Sequence, residues 1–526
     1  MIWHIFKKDC RLLWFFALAV ATIQFVYATG MFIAWRTGEG RGLGTLLNLL
    51  QVGSFLGVAF LIAADVHLDA IPGVRQDWLV RPVRRLDLLL SKLLFVVVMV
   101  QGPIFASDLF QGLANGFPFK QSVAAAVSRS VFLLAGLCLP VMAFAALTKN
   151  TTEAIIAGSA IFAIGAVLVA LAASLLGGSA GAIQFNPTDD TGVVWVGDFA
   201  RLSVSLLAAV IVLGLQYFRR KTTPARSFFA CAFVVYLLTL LIPWHPAFAL
   251  QERLSPQPGT GSSVQVAFDP TQGRFKSPQG AVSSNLILSD RSGLTQGNIQ
   301  IHLPLNISGL ANDEVLNADK SEVSLTGADG RAAFTGTGGD MQVFKEGAGD
   351  AETRVRHSVG IPAITYNNIK DQALRAEIRY SLTLFRLDAS YAIPALAGNE
   401  RLPGVGWCTT KVDNEGDDIS LHCMQAGKRM DCASVFLEHT PSGRRNPEAF
   451  VCGARYAPYS GKAGPDAMNR FSGSLPFLDL RGLARYPVDG AQLADSRLVL
   501  RVYVVQDHFT RVLVIPVITL KDWVAQ

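Results

Sequence analysis

Few residues in this chain have the type and spacing that chemistry needs. The pentapeptide "GGSAG" at Gly177–Gly181 formally fits the G-x-S-x-G pattern, in which a strained strand-to-helix turn presents a serine for acyl transfer. Here it follows an apolar run, so the required setting is missing. Asp507 and His508 are adjacent but have no candidate nucleophile near them, and they read as a solvated turn. No H-E-x-x-H metal motif and no G-x-x-x-x-G-K-[ST] phosphate loop occurs. Four of the seven cysteines, Cys408, Cys423, Cys432 and Cys452, cluster late in the chain without a close C-x-x-C pair. That favours two disulfides over a zinc site, with all three pairings open, and His422 beside Cys423 reads as a surface residue. The remaining concentration of polar groups is "QDWLVRPVRRLDLLLSK", Gln76 to Lys92, where Trp78, Arg81, Pro82, Arg84 and Arg85 stand between two apolar runs. Such a segment offers contact, not bond-making.

The elements around it belong to a membrane. The chain has 526 residues, 51% hydrophobic and 16% charged, and the charge deficit falls on residues 1–250. A run of about 20 apolar residues crosses the hydrocarbon core as a helix. Seven such runs are readable: Leu12–Trp35, Thr45–Ala64, Leu88–Ala106, Val131–Leu147, Ala154–Leu176, Leu202–Phe218 and Ser227–Trp244. Placing the N-terminus in the cytoplasm puts Lys7, Lys8, Arg11, Arg75, Arg81, Arg84, Arg85, Lys149, Arg219, Arg220, Lys221 and Arg226 inside, as the positive-inside rule demands. Residues after Trp244 then lie outside the cytoplasm. The net charge of +6 flanks apolar runs, which fits membrane topology and not a nucleic-acid surface. Lys92 sits one turn inside its run and is expected to snorkel to the interface. Asp108 and Arg129 fall near outer ends, Gln24 and Gln101 are the polar groups at depth, and Gly102-Pro103 predicts a kink. Span centres so poor in charge argue against a proton- or sodium-driven transporter.

In "DWLVRPVRRLDLLLSKLL", an aromatic (Trp78) and Leu79 precede Arg81-Pro82, the basic Arg84, the run Leu88–Leu90 and Lys92. This order resembles a segment of ABC-2 type permeases, the membrane subunits of bacterial ABC exporters. "IFKKDCRLLWFF" is similar to the amphipathic entry helix of the same proteins. The resemblance covers roughly the first 220 residues. It implies a bacterial inner-membrane subunit that is not itself an enzyme and binds no cofactor. ATP and Mg²⁺ would be bound by a separate ATPase subunit, and a second permease half, identical or different, would complete the assembly in the lipid bilayer. It also implies that Asp77, Trp78, Arg81, Pro82, Arg84 and Arg85, in the connection Asp65–Arg85, couple to that ATPase. One departure stands out: the usual half-transporter has six spans and ends in the cytoplasm, whereas here a seventh span and a large second half follow.

That second half, residues 251–526, opens with the linker-like "LSPQPGTGSS" and then alternates with period two, as in "AEIRYSLTLFRL". Turn signals such as "GADG" and "PSG" separate the alternating stretches, which predicts an all-β, sandwich-like extracytoplasmic domain. Its length favours two sandwiches divided near Ala395. Arg497–Gln506 and Thr510–Leu520 read as a closing hairpin. Two other readings compete with transport: a membrane-anchored sensor or envelope assembly scaffold whose working part is the β domain, and a membrane-bound enzyme with its site there.

Overall fold

The structure, a computed structural model, describes residues 1–37, 40–69, 84–114, 117–177, 193–239, 242–273, 298–339, 341–344, 352–396, 399–403, 406–412, 418–424, 432–445, 449–452, 486–487 and 493–524. The first half is helical. Helices α1 (Ile2–Thr37) and α2 (Gly40–His67) precede two rods interrupted by wider turns. In the first rod α3 (Arg85–Phe95) passes through a π-helical turn, Val96–Gln101, into α4 (Gly102–Ala114). In the second, α5 (Phe119–Leu133) passes through Leu134–Cys138 into α6 (Leu139–Ala145). Helix α7 (Thr151–Gly177) is followed by α8 (Val194–Gly214), which ends in a third π turn at Leu215–Arg219. Helices α9 (Thr222–Leu238) and α10 (Trp244–Arg253) close the helical half.

Two of the π turns have a readable cause. Each ends just before a proline, Pro103 or Pro140, which lacks an N–H and crowds the carbonyl four residues back, so the ladder widens there. The kink expected at Gly102-Pro103 thus takes the form of a π turn, and Leu139-Pro140 repeats it.

Among the described residues five helical stretches are long and apolar enough to cross a membrane: Ile2–Gly30, Thr45–His67, Arg85–Ala114, Ser122–Ala145 and Trp195–Arg219. The other two expected runs fall in α7 and α9, where the apolar stretches among the described residues are Thr151–Gly165 and Thr222–Leu238. Large apolar side chains such as Leu12, Trp14, Phe15, Leu49 and Leu56 point outward from the bundle. Water would oppose that arrangement and lipid favours it. Phe95, Leu61, Ile62, Met142 and Val212 fill the interior.

The second half is β-rich and antiparallel. One sheet runs β1 (Gln265–Phe268), β2 (Asn298–Ser308), β6 (Glu352–Pro362). A large sheet runs β12 (Arg444–Arg445), β11 (Cys432–His439), β15 (Ser496–Ile518), β7 (Leu374–Pro394), β3 (Glu314–Thr326), β4 (Ala332–Thr337), with β5 (Met341–Phe344) on β3 and β13 (Ala449–Cys452) on β11. A third runs β14 (Tyr486–Pro487), β10 (Asp418–Met424), β9 (Gly406–Val412), β8 (Asn399–Leu402). Leu303, Leu305 and Ile361 of the first sheet share a hydrophobic core with Leu316, Ile378, Leu382 and Ile515 of the large one. A second core joins Ile393, Val435, Leu498 and Leu500 of the large sheet to Cys408 and Leu421 of the third.

Two expectations need correction. Arg497–Gln506 and Thr510–Leu520 are not a hairpin. They form one strand, β15, that pairs with β7 along nearly its whole length. Asp507-His508 is no solvated turn either: it follows an irregularity between Val505 and Asp507, where β15 carries one residue more than its partner. The expected division near Ala395 falls between two strands that pair with each other. The long strands β7 and β15 line both cores, and their inward parity changes between them. On β7 it passes from even positions (Ile378, Tyr380, Leu382) to the odd Ile393, and on β15 from Leu498 and Leu500 to Leu513 and Ile515. A one-residue shift on each strand has that effect.

Of the cysteine candidates, Cys432 and Cys452 are bonded across β11 and β13, where they are register partners. Cys408 is also disulfide-bonded, and its Cα partner across β9–β10 is Cys423. The side chains of Cys423 and His422 lie outside the described ones.

The first core holds an acid-sensitive group. His357 is fully buried beside Tyr380, with ring centroids 5.3 Å apart, and neither of its ring nitrogens has a hydrogen-bond partner. Burial pushes the imidazole down to about 4, against about 6.5 in an unfolded chain. The unfolded state therefore binds the extra proton first, and stability falls as pH drops from about 6.5 to about 4 and no further. Replacing His357 with Leu is expected to flatten that decline in chemical-denaturation curves of the β region. An unchanged slope would assign the titration elsewhere.

Candidate functional site

One end of the helical bundle is braced by charge. Asp65, near the end of α2, and Asp69 lie one turn apart and both face Lys92 of α3. Lys92 Nζ lies 2.8 Å from Asp9 Oδ2 on α1, 2.9 Å from Asp69 Oδ2 and 3.5 Å from Asp65 Oδ1. Lys8 Nζ adds a contact of 2.8 Å to Asp69 Oδ1. The Lys92 side chain is 1% exposed and those of Asp9 and Asp65 are 0% exposed. Lys92 therefore does not snorkel. The carboxylates gathered from α1 and the end of α2 hold its ammonium inside the bundle, since a buried charge is tolerated only when paired. Burial would raise the Asp69 carboxyl, but Lys92 and Lys8 outweigh it and hold the group below its ordinary value.

Three further ties act at the same end. His67 Nε2 lies 3.0 Å from Ala145 O and 2.9 Å from Thr148 Oγ1, which joins α2 to the end of α6. Arg226, on α9, donates twice to Leu147 O, at 3.2 and 2.7 Å. Arg85 Nη1, at the first residue of α3, donates to Phe218 O in the terminal π turn of α8, at 2.5 Å. Six helices, α1, α2, α3, α6, α8 and α9, separated in sequence by up to 133 positions, are thus joined at the end of the bundle where the chain enters and leaves the 70–83 segment. Of the coupling candidates, Arg84 caps the start of α3 by position, without a side-chain bond, and Arg85 makes the tie just given. Asp77, Trp78, Arg81 and Pro82 lie outside the described residues, as does most of the Gly177–Gly181 stretch.

Two other polar constellations went unread in the sequence. Within the bundle Arg129 Nη1 donates to Asp108 Oδ1 at 2.5 Å, with Arg129 on α5 and Asp108 on α4 both buried. Each is the other's counter-ion, a pairing their separation of 21 positions hides in the sequence. Between the two proline-linked π turns, Gln101 Nε2 lies 3.0 Å from Cys138 Sγ.

At the other end of α8, a chain of hydrogen bonds joins helices to the β region. Trp195 Nε1 donates to Gln251 Oε1 of α10 at 3.1 Å. Gln251 Nε2 lies 3.0 and 3.3 Å from the two ring nitrogens of His508. His508 Nδ1 is 2.8 Å from Thr383 Oγ1 on β7, and Thr383 in turn donates to Asp319 on β3. Asp507 Oδ2 accepts from the backbone N–H of Gly259 and of Gly261, each at 2.9 Å. Polar neighbours in a strand read as a turn from sequence because nothing local shows the distant donors that satisfy them.

No protein-family model matches the chain, and no curated protein matches it either.

Proposed function

We propose that this chain is the permease subunit of an ABC-type exporter. It forms a seven-span bundle with its N-terminus in the cytoplasm of a bacterium, and it moves a substrate across the inner membrane with ATP hydrolysed by a separate subunit. The observation that carries the reading is the braced end. The resemblance in "DWLVRPVRRLDLLLSKLL" puts the docking segment between α2 and α3, and the helix ends that flank it are the ones cross-linked by Lys92, His67 and Arg85. Force applied to such a segment reaches α1, α2, α3 and α8 together, which is what a lever needs. The role of Asp77, Trp78, Arg81, Pro82, Arg84 and Arg85 is contact with the ATPase; this chain does no chemistry of its own. The β region, read as two sandwich-like cores, lies on the far side of the membrane.

The test is co-purification in mild detergent with identification of the subunits retained. A Walker-A ATPase is expected with the wild-type chain and is expected to be lost, at least tenfold, from Arg81→Glu/Arg85→Glu. If the variant holds the ATPase as well as the wild type does, the coupling assignment fails. A second reading, a membrane-anchored sensor or scaffold, is favoured by the bonded chain from β3 to α8. It gains ground if no ATPase accompanies even the wild-type protein.

A further inference from the structure

The hydrogen bonds around Gln251 have a forced direction. The indole of Trp195 can only donate, so the Gln251 atom it meets at 3.1 Å is the carbonyl oxygen. The amide nitrogen then faces His508 and donates to a ring nitrogen that carries no proton. On the far side, the Thr383 hydroxyl spends its one hydrogen on Asp319, so it accepts from Nδ1–H of His508. The links run in series: Asp319 accepts from Thr383, Thr383 Oγ1 meets His508 Nδ1, the ring faces the Gln251 amide nitrogen at 3.0 Å from Nδ1 and 3.3 Å from Nε2, and Gln251 accepts from Trp195. Gln251 is 5% exposed, Thr383 2%, and the His508 ring lies edge-on to Phe248 of α10, so water does not readily replace a lost link among these three; Trp195, at the end of the relay, is 41% exposed. His508 N–H also donates to Ser255 Oγ at 2.9 Å, which holds the strand against the segment following α10.

We propose that Gln251 is a latch through which the paired strands β7 and β15 hold the start of α8. The helix it holds ends at Phe218, whose carbonyl binds Arg85 at the first residue of α3. A displacement of β15 is therefore felt first at Trp195 and then, along a helical rod, at the opposite end of the bundle. The latch has one setting only. A second proton on His508 would place an N–H against the Gln251 amide, and turning that amide to accept it would leave Trp195 facing a donor. The charged groups around the imidazole are Asp319 through Thr383, the adjacent Asp507, and, at the Trp244–His245 end of α10, Lys320 and Glu322. Burial holds His508 down to about 4, which keeps the latch closed at neutral pH. The inference does not rest on an ATPase partner.

Hydrogen exchange of the whole protein in detergent at neutral pH tests it, read on the first two turns of α8. Gln251→Leu and Trp195→Phe are each expected to raise exchange there about fivefold to tenfold, the factor for one ordinary hydrogen bond, and the double variant to add nothing. The decisive variants lie at the far end of the chain, in the β region. Thr383→Val and His508→Leu touch no helix of the bundle core, yet the same rise in α8 is expected from both. If both leave α8 exchange at the wild-type rate while Gln251→Leu raises it, the relay stops at α10 and the proposal is wrong. Should His508→Leu fail to fold, Thr383→Val, which keeps shape and volume, decides alone.

Discussion

Lys92→Met is expected to cost about 3–5 kcal/mol of stability, the usual penalty for removing one partner of a buried ion pair. The ammonium is the shared counter-ion of Asp9, Asp65 and Asp69, and Lys8, whose side chain is 47% exposed, cannot reach all three. Without Lys92, carboxylates on two different helices, Asp9 and Asp65, both 0% exposed, face each other without their shared cation. The expected result is a lower unfolding temperature in detergent together with separation of α1 from α2. Asp69→Asn should cost less, because Asp69 is 12% exposed and is the outermost of the three. A Lys92→Met protein that melts with the wild type would mean that the hub is incidental to the fold.

A second large effect is expected from Arg129→Leu, again about 3–5 kcal/mol, because Asp108 would be left as an uncompensated charge between α4 and α5. Here the double variant is the informative one. Replacing both members by apolar residues of similar size removes the desolvation cost along with the attraction, so Asp108→Leu/Arg129→Leu should recover most of the loss. Unfolding temperatures of the four proteins in the cycle measure the coupling directly. A double variant no better than Arg129→Leu would show that the arginine is held by its other surroundings, not by Asp108.

The fold was legible in the sequence where it depends on local pattern, and the site was not, because it depends on distant partners. Runs of apolar residues located α1, α2, α3–α4 and α8, since a lipid-facing helix needs nothing but length and composition. Pro103 announced its broken ladder, and Pro140 carried the same signal. Alternation found β7 and β15. It could not show that Asp507 and His508 lie within a strand, because polar residues at a bulge look like a turn until their bonds to Gly259, Gly261 and Thr383 are known. Lys92 misled for the same reason. A lone lysine one turn into an apolar run suits snorkelling by every local criterion. Only the return of Asp9, 83 positions earlier, makes burial the better solution. The i, i+4 spacing of Asp65 and Asp69 was a usable clue, which the reading of that stretch as a connection obscured.

The long strands β7 and β15, of 21 and 23 residues, also decide how the β region can come apart. Each is a wall of both cores, so neither core is closed by its own strands alone. A chain severed at Ala395 would not release a self-sufficient module. It would strip β15 from β7 and bare a long apolar edge, the kind of surface that recruits other strands into aggregates. The two cores should therefore melt in a single transition, and evolution or an engineer could exchange this region only whole.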